Sequence, residues 1–240
     1  MSATFGAAVA DWAGFATAFG VFLLSHAVPA RPALRARLVA VLGERLYLAA
    51  YATVSVGALA WLIVAAGRAP YVALWPYAIW RVWLVNLGMP LACLLVAFAV
   101  GAANPLSFGG PAAGFEPAHP GVAGVARHPL LLALALWGGL HTLANGDLVH
   151  VVLFGGFTGF AVLGMHMLDR RRRRQLGPAV WARLAANTST WPLAALIDGR
   201  WKPRPRLRDA LRLVLGLALW LALLALHPRL IGVSPLPPGL

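Results

Sequence analysis

The chain has 240 residues, of which 60% are hydrophobic and only 11% charged, with a mean hydropathy of +0.76. A soluble domain needs roughly a quarter of its residues charged, so the composition excludes a soluble globular protein and marks a polytopic membrane protein. The formal charge of +13 does not point to nucleic acid, because the arginines flank apolar runs, where they set topology and meet lipid headgroups.

The first apolar run, Trp12–Ala30, lacks the basic region and small-residue cleavage site of a signal peptide, and Asp11 interrupts its approach. It reads as a retained span. Leu46–Ala66 and Trp83–Ala103 follow, both of full length, since about 20 apolar residues cross the hydrocarbon core. Asn104–Ala126 is a Gly/Pro-rich connection with no helical period, expected to be irregular and surface-lying. Pro129–Ala144 is short for a span and Leu148–Leu168 is full length. Between Gln175 and Gly199, Trp181, Leu184, Trp191, Leu193 and Leu196 give the pattern of an interfacial element or of an anchored connector. A short sixth run, Leu213–Leu226, closes the series. The expected fold is an all-α transmembrane bundle of about six spans. Residues 1–202 form its main domain, with five spans and the interfacial segment, and residues 203–240 add a basic stretch and the sixth span.

Alternating spans put all but three of the twenty basic residues on one side, the exceptions being Arg68, Arg81 and Arg229. The positive-inside rule assigns that side to the cytoplasm and both termini to the outside.

Ionisable groups within a bilayer are costly and are candidates for function. His141 sits deep in the fourth run, His128 stands at its threshold, and His26 lies near the cytoplasmic end of the first, where Ser25 can orient its ring. Imidazole ligates metals and haem iron, and it also serves as a hydrogen-bonded structural group. His128 and His141 are thirteen residues apart, about 20 Å along a helix and about 140° apart around it, so they do not share one metal. A partner for His141 comes from another span, with His26 best placed. Structural roles suit His119, His150, His166 and His227. No HExxH, no carboxylate pair within a span and no phosphate-binding glycine loop is present. Asp11, Glu44, Glu116, Asp147, Asp169, Asp198 and Asp209 lie outside the spans or at their rims. Cys93, the single cysteine, reads as a small buried hydrophobe.

The blocks LLSHAVPARPALRARLVAVLGERLYLAAYATVSVGAL and GVARHPLLLALALWGGLHTLANGDLVHVVLFGGF, and more weakly TSTWPLAALIDGR, resemble the NnrU-domain family of bacterial integral membrane proteins. The same domain is similar to that of the plastid 15-cis-zeta-carotene isomerase, a membrane haem b protein. The resemblance implies a place in the bacterial inner (plasma) membrane and a link to expression of the nitrite and nitric oxide reductases of denitrification. It implies haem b as cofactor, with axial ligands at His26 in the LLSH block and His141 in the W–x3–H block. His128, in RHP, is shared but is not the implied ligand. The isomerase carries a cysteine three residues before the second ligand, a position held here by Gly138. Trp137, one turn before His141, is placed to pack on a porphyrin.

Depth counts against the pair that the resemblance implies. His26 lies toward the cytoplasmic rim and His141 toward the outer half, a gap that the short fourth span and helix tilt narrow. His26/His141 ranks first, and His26/His128, which share a level, is the fallback. Three functions follow: redox-dependent cis–trans isomerisation of a lipophilic polyene, a non-enzymatic sensor or accessory factor, and, last, a small-solute transporter. Membrane lipid is a partner in each, and nucleic acid in none.

Overall fold

Lipid offers no hydrogen bonds to a bare backbone, so apolar spans either coil into helices or close into barrels. The computed structural model describes residues 2–29, 31–108 and 110–239, and among these all regular secondary structure is helical. The helices are α1 (Ser2–Ala27), α2 (Pro32–Arg68), α3 (Ile79–Ala99), α4 (Val122–Val125), α5 (Pro129–Asn145), α6 (Leu148–Leu176), α7 (Pro178–Ala185), α8 (Ala194–Ile197) and α9 (Leu207–Ile231). Five of them, α1, α2, α3, α6 and α9, are long and apolar enough to cross a membrane. At 17 residues, α5 is about 25 Å long, a little under the hydrocarbon thickness of about 30 Å. The protein is therefore an all-α polytopic membrane protein, as its sequence predicts.

The chain divides into two compact units. The first comprises Met1–Trp75 with Asp147–Leu153, and the second Pro76–Gly146 with Phe154–Leu240. In the first unit α1 packs along α2, burying Phe15, Ala18 and Leu62. The helix α2 is kinked at Gly43, whose φ of 77° lies in the left-handed region where only glycine is unstrained. The kink separates a basic first part, pinned by an Arg35–Glu44 ion pair of 2.6 Å, from the apolar part expected as the second span. The start of α6 is tied to the segment that follows α2: Leu148 N–H donates to the Val72 carbonyl at 2.9 Å.

In the second unit α3 packs against α5 and α9. A β-carbon built at Gly216 of α9 would lie 3.1 Å from the Leu94 α-carbon, so the missing side chain sets how closely α9 approaches α3. The Arg212 guanidinium of α9 donates to the carbonyls of Phe98 and Val100 at the end of α3, where helix carbonyls lack intrahelical partners. Proline in its first turn and glycine at its C-cap bound α5, the usual punctuation at the two helix ends.

Three expectations change. The sixth run is not short: α9 has 25 residues, because helix continues through the Arg208–Arg212 flank that an apolar count omits. The connection 104–126 is irregular and exposed over most of its middle as expected, but its two ends are buried. Asn104, Leu106, Ser107, Ala123 and Ala126 are buried, because the Asn104 side chain bridges from the Leu106 N–H to the Arg127 carbonyl. The span ends also shift, α1 closing at Ala27 and α3 at Ala99. Ala30, the expected end of the first span, and Gly109 within the connection lie outside the described residues.

Candidate functional site

His141 lies on the fourth turn of α5, half-buried. Its Nδ1 is 2.8 Å from the Trp137 carbonyl, one turn back. A carbonyl only accepts, so Nδ1 carries the proton and the lone pair sits on Nε2. Around the ring stand Trp137 at 5.4 Å and Phe154 at 5.1 Å between centroids. Trp137 itself is stacked on Phe157 at 5.6 Å and meets Phe154 edge-on at 5.2 Å. An aromatic wall from α6 thus fixes both Trp137 and the imidazole.

The neighbouring Gly138 faces α6. A β-carbon there would stand 2.6 Å from Thr158 Oγ1 and 2.8 Å from the Phe154 carbonyl oxygen. Only glycine permits this approach, in the way that small residues set helix contacts within membranes. The thiol that the resemblance puts at this position has no room in this chain.

His26 belongs to the other unit, near the C-terminal end of α1, and has the same local geometry. Its Nδ1 is 2.8 Å from the Phe22 carbonyl, again one turn back, with Ser25 Oγ 3.3 Å away. The Phe22 ring stands 4.3 Å from the imidazole, and Tyr51 of α2 presents its ring at 6.1 Å. Both histidines therefore follow an aromatic–x3–His pattern, and both have the tautomer that leaves the lone pair on Nε2.

His128 is different. It is fully buried at the N-cap of α5. Its Nε2 donates to Asp169 Oδ1 at 3.0 Å and its Nδ1 is 3.2 Å from Ser107 Oγ. The other oxygen of Asp169 accepts from the Arg127 guanidinium and from Thr190 Oγ1, the latter at 2.9 Å. Arg127 also donates to Thr188 Oγ1 at 2.9 Å and to Thr190 Oγ1 at 3.1 Å. Its guanidinium lies over the Trp181 ring, 5.0 Å from the centroid, a cation–π contact. The ARHP and TSTW blocks thus meet around one carboxylate.

Sequence reasoning missed this cluster. Asp169 stands directly before five consecutive arginines and reads as part of a solvated basic flank. The signal that would have found it is an aspartate closing an apolar span while a buried Arg-His pair opens another.

Three of the other histidines have hydrogen-bond partners of their own. His150 bonds the Asp147 carboxylate at 2.8 Å, His119 accepts from Arg204 at 2.6 Å, and His227 lies 2.7 Å from the Val233 carbonyl. Cys93 is buried in α3. Among the described residues no three or more His, Cys, Asp or Glu side chains gather into a metal-binding cluster. Axial ligation of haem needs only two imidazoles, and the residues fit it: His26 and His141 each have Nδ1 anchored on a backbone carbonyl and aromatic rings beside the imidazole.

Residues 14–235 match the family described as NnrU protein. The 15-cis-zeta-carotene isomerase, chloroplastic, of Zea mays is 35% identical over 82 residues, covering 34% of this chain and 22% of the isomerase. The chain thus spans about a fifth of that relative's length. No solved structure matches.

Proposed function

The chain belongs to the NnrU family, and we propose that it is a membrane haem b protein in which His26 and His141 supply the two axial imidazoles. The observation that carries this reading is the repeated aromatic–x3–His arrangement, with Nδ1 of each ring 2.8 Å from the carbonyl one turn back. Such a bond fixes tautomer and ring orientation, as outer partners do for metal-bound histidines. His128 has both ring nitrogens in hydrogen bonds, which favours His141 over it as the partner of His26. Trp137 offers a flat apolar face beside the imidazole for porphyrin packing.

Haem b held by two histidines supplies one-electron chemistry. The chain's own residues anchor the two imidazoles, and the Trp137–Phe154–Phe157 wall keeps water from the His141 side. The substrate on this reading is a lipophilic polyene entering from lipid, and the reaction its redox-dependent cis–trans isomerisation. Similarity to the carotene isomerase supports that choice. The protein lies in the bacterial inner membrane with its basic connections cytoplasmic and both termini outside, as the arginine distribution supports.

The test is an absorption spectrum of protein purified in mild detergent, for wild type, His26→Ala, His141→Ala and His128→Gln. A Soret band in wild type and His128→Gln, lost or shifted in the other two, is expected. Full retention of the haem signal by both alanine variants would remove the ligand assignment.

A second reading has its own support, because the family match runs over residues 14–235 while the isomerase match covers 34% of the chain. On it the protein is a non-enzymatic sensor or accessory factor of nitrogen-oxide respiration. Deleting the gene separates the two. Altered carotenoid isomers with normal nitrite and nitric oxide reductase levels support the enzyme, and the converse supports the accessory factor.

A further inference from the structure

The second unit holds a cavity of about 620 Å³, well within the range of small-ligand sites, roughly 300–1,000 Å³. Neither Trp137 nor His141 lines it. Its walls are apolar: Leu94 and Phe98 from α3, Leu132 and Leu136 from α5, Val125 from α4, and Trp201. Trp201 is buried against Gly124, where a β-carbon would meet its ring at 2.4 Å, so the glycine is what lets the indole close that wall.

The rim has the opposite character. Lys202, Arg204, Arg206 and Arg208 stand around one side of the mouth with Asp209. That aspartate is committed locally, its Oδ2 accepting the Arg206 backbone N–H at 2.8 Å as a helix cap. Arg204 is held by donation to His119 Nε2 at 2.6 Å. Arg206 has a loose pairing with Glu116 at 3.9 Å. Among the described residues, Lys202 and Arg208 make no ion pair, and both are exposed. An apolar chamber behind a row of cations, two of them uncompensated, matches an amphiphile with an acidic head and a hydrocarbon tail.

We propose that this cavity binds one phospholipid with an anionic headgroup, its acyl chain between α3 and α5 and its phosphate at Lys202 and Arg208. The charge pattern selects the head, since each Lys or Arg at a lipid surface contributes about 1 kcal/mol toward an anionic one. The hydrocarbon walls select a lipid over a free anion. The site is independent of the haem reading, and its test does not use haem.

Native mass spectrometry of the full chain, released from nanodiscs of phosphatidylcholine with phosphatidylglycerol, reads the bound lipid directly. Wild type is expected to retain one phosphatidylglycerol in preference to phosphatidylcholine. Lys202→Gln/Arg208→Gln should weaken that preference roughly thirtyfold, while Arg170→Glu/Arg171→Glu, on the exposed basic flank of α6, should keep it. Leu132→Phe/Leu136→Phe, which fills the chamber, should lower retention of both lipids, with helicity checked by circular dichroism. Inorganic phosphate should leave the lipid in place. An unchanged preference in the Gln variant, equal loss in the α6 variant, or displacement by phosphate would overturn the proposal.

Discussion

Replacing Asp169 with alanine should destabilise the protein far more than an aspartate at the edge of a basic run suggests. Its carboxylate serves Arg127, Thr190 and His128 together. The Arg127 side chain is only 9% exposed and that of Asp169 18%, so the variant strands a guanidinium largely away from water. Removing one partner of a buried pair costs about 3–5 kcal/mol. The threonine hydroxyls and the Trp181 ring remain with Arg127, which points to the lower figure. At about 2–4 °C per kcal/mol for a chain of this size, the melting temperature in mild detergent should fall by roughly 6–12 °C. Arg127→Met should do comparable damage. The double variant Arg127→Met/Asp169→Leu buries no lone charge, so it should melt well above the sum of the single losses, a coupling of about 1–3 kcal/mol. High salt should change the wild type little, since buried pairs are poorly screened. A loss in Asp169→Ala of under about 1 kcal/mol, the range of a surface pair, or additive single effects, would refute the reasoning.

Two further outcomes follow from helix contacts. Gly138→Cys forces a β-carbon against the Phe154 carbonyl and Thr158 Oγ1, and overpacking of this kind costs about 1–3 kcal/mol. Thermal melts should show the loss, and adding Thr158→Ala should recover only part of it, since the backbone carbonyl stays. Arg212→Gln removes a charged donor from the carbonyls ending α3, worth about 1.5–3 kcal/mol. Hydrogen exchange at residues 96–103 should accelerate, with Arg212→Lys intermediate.

What the sequence disclosed depended on whether the physics was local. The bounds of α5 are legible because Pro129 opens it and Asn145-Gly146 closes it. Those of α9 are not, because hydropathy measures the apolar run and helix continues into Arg208–Arg212. His26 and His141 stood out as ionisable groups in apolar runs, and their anchoring carbonyls lie on the same helix. The cluster around Arg127 and His128 draws on three distant segments, Ser107, Asp169 and Thr188–Thr190, and no periodicity joins them. For the same reason 104–126 read as a surface loop. The burial of its two ends rests on Asn104 reaching the Arg127 carbonyl, a tertiary bond that composition does not reveal.

The buried cluster also bears on the proposed haem site, although none of its residues is a proposed ligand. On the proposed reading, His141 has to present Nε2 at a fixed height and rotation, and α5 carries it against the aromatic wall of α6. One end of α5 is held by His128 and Arg127 through Asp169, the middle by the glycine contact at Gly138, and the other end turns at Gly146. Loosening the first clamp lets α5 shift along α6 by fractions of a turn, and site geometry tolerates only about 0.5 Å. Asp169→Asn, milder than alanine, should therefore leave haem bound while broadening or shifting its Soret band. An unaltered spectrum in a demonstrably destabilised Asp169→Asn protein would show that the clamp holds the fold and not the ligand.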